Sequence, residues 1–94
     1  MKYNIYIEGQ LRLAAGVDQI ELNSESSLSL HELWDRPKAS QSSQVTSGLF
    51  TEGGTLRRSL LVFIDNQPVS HDEFANHQLD SDTEISILSP IAGG

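Results

Sequence analysis

Five consecutive apolar residues, Leu60-Leu61-Val62-Phe63-Ile64, set the strongest constraint on how this chain folds. The run is too short for a helix and suits a β-strand covered on both faces. Asp65-Asn66-Gln67-Pro68 follows at once and reads as a tight turn, after which Val69 begins a short edge strand. A buried strand needs neighbours, and the rest of the sequence supplies them.

Lys2 to Ile7 sets Tyr3, Ile5 and Ile7 against Lys2, Asn4 and Tyr6, the alternation of a strand with one buried face. Asp18 to Leu22 alternates again, with Ile20 and Leu22 together. Between them lie the turn Glu8-Gly9-Gln10, Leu11-Arg12-Leu13 and a break at Ala14-Ala15-Gly16, which gives an antiparallel hairpin with a long, embellished connection. Ser29-Leu30-His31-Glu32 fits a capping box, and Leu30, Leu33 and Trp34 follow at helical spacing. Pro37 ends or kinks that helix. Lys38 to Thr55 is Ser/Gln-rich. Within it Val45, Leu49 and Phe50 form a short second helical face, and Glu52-Gly53-Gly54-Thr55 an exposed turn. Leu79 to Thr83 turns the chain into a last strand, Glu84 to Leu88, closed by Pro90.

A hairpin, a crossing helix and later strands allow the last strand to pair parallel to the first. The expected class is α+β, a β-grasp or ubiquitin-like roll with a mixed sheet of about four to five strands packed on one main helix. Its 94 residues make a single domain, 1–94, with a flexible C-terminal tail over 89–94.

Thirteen acidic residues against six basic ones give a net charge of −7. That sign excludes an electrostatic nucleic-acid binder. The acidity either keeps the domain soluble or steers it to a basic partner surface. No apolar run spans a bilayer, and the N-terminus lacks the apolar segment of a secretory signal, so the expected location is cytoplasmic and away from membranes. Cysteine is absent, which excludes disulfides, thiolate metal sites and a thiol nucleophile. His31, His71 and His77 have no tight metal spacing. Ser70, His71 and Asp72 are adjacent in sequence and do not form a triad pattern.

The sequence finishes on Ser89-Pro90-Ile91-Ala92-Gly93-Gly94. Two glycines make a sterically bare tip whose backbone can enter a narrow site. A second pair, Gly53-Gly54, lies in a loop, so position and not the dipeptide carries the meaning.

Several segments resemble the MoaD/ThiS family of ubiquitin-like sulfur carriers, nearest the molybdopterin synthase small subunits. Gly9-Gln10-Leu11-Arg12-Leu13-Ala14-Ala15-Gly16 is similar to that family's A-x-x-R-x-x-x-G stretch. Phe63 to Val69 resembles its hydrophobic-V-N-x-x-x-V turn, Asp80 to Ile85 its D-G-D-E-V, and Ser89 to Gly94 its P-P-V-x-G-G. The chain departs from the pattern at Ser81 in place of glycine, over the longer stretch Lys38 to Ser59, and at Glu8, where the family often has an aromatic.

The resemblance implies a carrier and not an enzyme. It becomes part of a synthase only with a partner, binds no cofactor and no metal, and relies on ATP used by an E1-like activating enzyme. A carboxylate is a poor electrophile, so Gly94 would first become an acyl-adenylate and then a thiocarboxylate that donates sulfur in molybdopterin biosynthesis. Gly93 keeps the tip thin, and Ser89 to Gly94 reaches at most about 20 Å. Leu88, Pro90, Ile91 and Ala92 would contact the partner, a molybdopterin synthase large subunit or a thiazole synthase. Leu88 and Ile91 are equally read as core residues. Arg57 and Arg58 either meet an acidic partner patch or sit in a solvated loop. Three other functions fit the same residues: a thiazole sulfur carrier for thiamin, a ubiquitin-like modifier conjugated through Gly94, and a non-covalent interaction module.

Overall fold

Alternation at the start of the chain produces β1 (Lys2–Glu8), whose Tyr3, Ile5 and Ile7 are fully buried while Asn4, Tyr6 and Glu8 lie on the opposite face. The structure, a computed structural model, describes residues 1–90. The connection after β1 holds a helix, α1 (Gln10–Ala15), where the sequence indicated only a break. Leu11 and Ala15, four residues apart, form its buried face. Gly16 closes α1 at φ 81°, a conformation that costs a residue with a Cβ, and its N–H donates to the Arg12 carbonyl at 2.9 Å. β2 (Gln19–Asn23) then returns antiparallel to β1 with Ile20 opposite Ile5, completing the anticipated hairpin.

β3 (Leu28–Ser29) leads into α2 (Leu30–Leu33) through the expected capping box. The Glu32 N–H donates to Ser29 Oγ at 3.1 Å, and the Ser29 N–H donates to Glu32 Oε1 at 2.9 Å. The Ser29 backbone N–H foremost, and then the Ser29 hydroxyl, hold the Glu32 carboxyl below its usual range. The helical course resumes as α3 (Asp35–Ser40), so the anticipated main helix is divided in two at Trp34. Pro37 explains the division: it has no N–H for the Leu33 carbonyl four residues back, yet it is tolerated in the first turn of α3. α4 (Ser43–Leu49), capped by Ser42, buries Val45 and Leu49 and packs on α1. A Cβ on Gly48 would lie 3.4 Å from the Ala15 Cα, so a small residue there lets the two helices approach.

β4 (Leu61–Ile64) and β5 (Gln67–Val69) form a hairpin through Asp65 and Asn66, both at positive φ (49° and 70°). A two-residue loop with both φ positive matches the right-handed twist of the strands it joins. Pro68 fits because β5 is an edge strand. The apolar run of β4 is covered on one face only, contrary to the sequence expectation: Val62 and Ile64 are buried, Phe63 is half-buried, and Leu61 is 44% exposed. A 3₁₀ helix (His71–Asn76) follows, then β6 (Gln78–Leu79), which pairs with β3 in a small second sheet.

β7 (Thr83–Leu88) lies between β1 and β4, parallel to the first and antiparallel to the second. The main sheet runs β2-β1-β7-β4-β5, the mixed β-grasp order that the crossing connection anticipated. Its inner face joins Ile5, Ile7, Ile85 and Ile87 to Leu30, Leu33, Val45 and Leu49 in one core. Tyr3 crosses that core and its hydroxyl donates to the Leu79 carbonyl at 2.9 Å. Burial, with Asp80 nearby, raises the pKa of this phenol.

Candidate functional site

The alternation of β7 sends Thr83, Ile85 and Ile87 into the core and leaves Glu84, Ser86 and Leu88 on the outer face. Register decides what surrounds them. Leu88 lies between Glu8 of β1 and Leu61 of β4, while Ser86 lies between Tyr6 and Phe63. Phe63 in turn lies opposite Pro68 of β5. The outer face therefore carries an apolar strip, Leu61, Phe63, Pro68 and Leu88, that begins where β7 ends.

Polar groups border the strip. The Tyr6 hydroxyl donates to Glu84 Oε2 at 3.1 Å, which raises the Tyr6 pKa because a phenolate would lose that bond and face a carboxylate. Glu8 is exposed at the end of β1. Beyond it an open cleft of about 570 Å³ is lined by Glu8, Gly9, Gln10, Ser59, Leu88 and Pro90. Gly9, at φ 62°, turns the chain from β1 into α1 and shapes one side of this cleft. No three His, Cys, Asp or Glu side chains gather into a metal-binding group among the described residues. No helix among them is long and apolar enough to cross a membrane.

Of the residues expected to contact a partner, Leu88 and Pro90 come together on the cleft. Leu88 is half-buried on the outer face and Pro90 is exposed, so the core reading of Leu88 does not hold. Ile91, Ala92, Gly93 and Gly94 lie outside the described residues. Arg57 is fixed within the domain, its Nε and Nη2 donating to the Ser47 carbonyl at 3.1 and 2.8 Å. Arg58 stays exposed beside Asp72. Ser70, His71 and Asp72 form no triad. The Ser70 hydroxyl accepts the Asp72 N–H at 3.3 Å, and His71 Nε2 pairs with the Leu60 carbonyl at 2.8 Å.

Leu61 and Phe63 are the surface residues that sequence reasoning missed. In an unbroken apolar run no period separates inner from outer positions. Their signal was the pairing of Leu61 with Leu88, which only the three-strand register reveals.

A model of the ThiS family matches residues 5–94. No curated protein matches the sequence. Among solved structures, SAMP1 from Haloferax volcanii superposes with a TM-score of 0.78 at 14% identity, with all of both chains covered. Urm1 from Trypanosoma brucei gives 0.72 at 18% identity, covering 99% of this chain and 95% of that one. The complex of subunits 1 and 2 of molybdopterin-converting factor from Helicobacter pylori 26695 contains a chain matching at 0.63 and 15% identity, with 100% of both chains covered. At these identities the likeness is one of fold.

Proposed function

Because this chain belongs to the ThiS family of ubiquitin-like sulfur carriers, we propose that it carries sulfur on Gly94 for molybdopterin biosynthesis. In this reading the Gly94 carboxylate attacks the α-phosphate of ATP on an E1-like activating enzyme, and pyrophosphate leaves. Hydrosulfide then attacks the acyl carbon, AMP departs as the C–O bond breaks, and after loss of a proton a thiocarboxylate remains. The chain acts as a co-substrate, and a larger synthase subunit performs the transfer.

One observation supports this most. The strand that leads to Ser89-Pro90 borders an apolar strip and cleft, so a partner that grips Leu61, Phe63 and Leu88 also receives the residues that follow Pro90. The neighbour from Helicobacter pylori is a complex of two subunits, which supports a large-subunit partner for this chain as well. The absence of cysteine is compatible with sulfur held on a backbone carboxyl.

Co-expression with an activating enzyme and a sulfur donor, followed by intact mass spectrometry, tests the reading. The expected product has one oxygen replaced by sulfur at Gly94, and deletion of Gly93-Gly94 removes it. A terminus that never gains sulfur overturns the proposal. A second reading, conjugation of Gly94 to lysines of other proteins, draws support from the modifier named in one neighbouring structure, the small archaeal modifier protein 1 of Methanosarcina acetivorans. Gly-Gly remnants on target lysines would favour it over sulfur transfer.

A further inference from the structure

A second cavity, of about 240 Å³, lies between α2 and α3, the loop Gly54 to Arg58, and the 3₁₀ helix. It shares no lining residue with the cleft beside Leu88 and Pro90. His31, Lys38, Arg58 and His71 all line it, in a chain whose net charge is −7. Those are two of the six Lys and Arg residues and two of the three His. Two carboxylates, Asp35 and Asp72, line it beside them.

The hydrogen-bonding capacity of the basic groups is only partly used, although His71 Nε2 is taken by the Leu60 carbonyl at 2.8 Å. Lys38 Nζ donates to the Gly54 carbonyl at 2.7 Å and to Asp35 Oδ1 at 2.8 Å, which leaves one of its three protons. The Arg58 guanidinium meets Asp72 at a loose 3.5 Å, with both side chains largely exposed. Trp34 forms part of the wall with Phe74, the two rings edge to face at 5.6 Å. The Trp34 indole Nε1–H is the one buried side-chain polar atom without a partner among the described residues.

We propose that this cavity binds a phosphate group, free or as a phosphomonoester. A phosphate offers acceptor oxygens in several directions at once, and the Arg58 guanidinium, the remaining Lys38 proton and the His31 imidazole are the donors left to meet them. The two carboxylates do not make it a cation site. Asp35 is held by Lys38, and no metal-binding group of three forms among the described residues. Asp72 is the internal competitor that phosphate displaces from Arg58. The volume lies below the ordinary range for drug-sized ligands and suits a small anion with a few waters.

Trp34 is the only tryptophan and lines the cavity, so its single indole N–H resonance can be followed as a reporter on that wall. Inorganic phosphate, titrated at constant ionic strength, should shift that resonance saturably. Arg58→Met should weaken binding about tenfold and Asp72→Asn should tighten it, because Arg58 is freed. Both side chains are exposed, at 76% and 81%, so unchanged melting temperatures will show that the variants fold. Adenosine monophosphate shifting the same resonance at lower concentration identifies a phosphomonoester ligand, and an equal or weaker response identifies free phosphate. A shift that chloride reproduces, or a midpoint that neither substitution moves, overturns the proposal.

Discussion

Replacing Leu61 with lysine tests whether β4 is covered on one face or two. Full burial of a leucine side chain stabilises a fold by about 1.5–3 kcal/mol. Leu61 is already 44% exposed, so at most about half of that is at stake, roughly 1 kcal/mol. A lysine stem covers much of the same surface while its ammonium stays in water, which leaves a net cost below about 0.5 kcal/mol. Val62, one residue on and 2% exposed, is the internal contrast. Val62→Ala removes two methyl groups and leaves a cavity, costing about 2–3 kcal/mol. In a domain of this size that lowers the melting temperature by about 10–20 °C, against about 3 °C or less for Leu61→Lys. Urea unfolding followed by the fluorescence of buried Trp34 measures both. The same Leu61→Lys protein should lose most of its binding to a co-purifying activating enzyme or synthase subunit. Equal destabilisation by the two substitutions would refute the one-faced reading of β4, and intact partner binding would refute the role of the strip.

Gly16→Ala should destabilise the domain by about 1–2 kcal/mol, because φ 81° is costly for a residue with a Cβ; thermal unfolding checks it. The Gln44 amide, 2.8 Å from the added atom, is the flexible end of a side chain and moves aside. Ser29→Ala removes the hydroxyl of the capping box and should cost about 1 kcal/mol in denaturant unfolding. The Glu32 carboxyl titrates below its usual value in the folded state. Its contribution is therefore present above the unfolded pKa and is lost as pH falls through the folded one. Stability measured on acidification should fall more shallowly below about pH 4 in Glu32→Gln than in the parent.

Local chemistry was readable wherever a few neighbouring residues decide the structure. The capping box of Ser29 and Glu32, the Asp65-Asn66 turn and the buried face of α4 are of this kind. So was the parallel pairing of first and last strands, because a helix-bearing connection between them leaves few alternatives. α1 was not legible: its two buried positions, Leu11 and Ala15, amount to a single helical repeat, which a six-residue segment cannot distinguish from a turn. The outer face of β4 was hidden by composition, since Leu61 and Phe63 are as apolar as Val62 and Ile64. The same limit applied to the candidate site. Leu88 and Pro90 were found by their nearness to the glycines, whereas Leu61 and Phe63 reach them only through register. The phosphate cavity draws on α2, α3, a loop and the 3₁₀ helix, and no local motif announces it.

The place of β7 as the middle of five strands also has a mechanical meaning. A pull on residues beyond Pro90 runs along β7, with β1 hydrogen-bonded on one side and β4 on the other. Force applied lengthwise to such a strand loads both ladders in shear, and many bonds must yield together. An edge strand would instead peel away one bond at a time. A partner can therefore draw the segment after Pro90 firmly into a channel while the domain behind it resists unravelling, as a cord holds when knotted at the centre of a cloth and not at its hem.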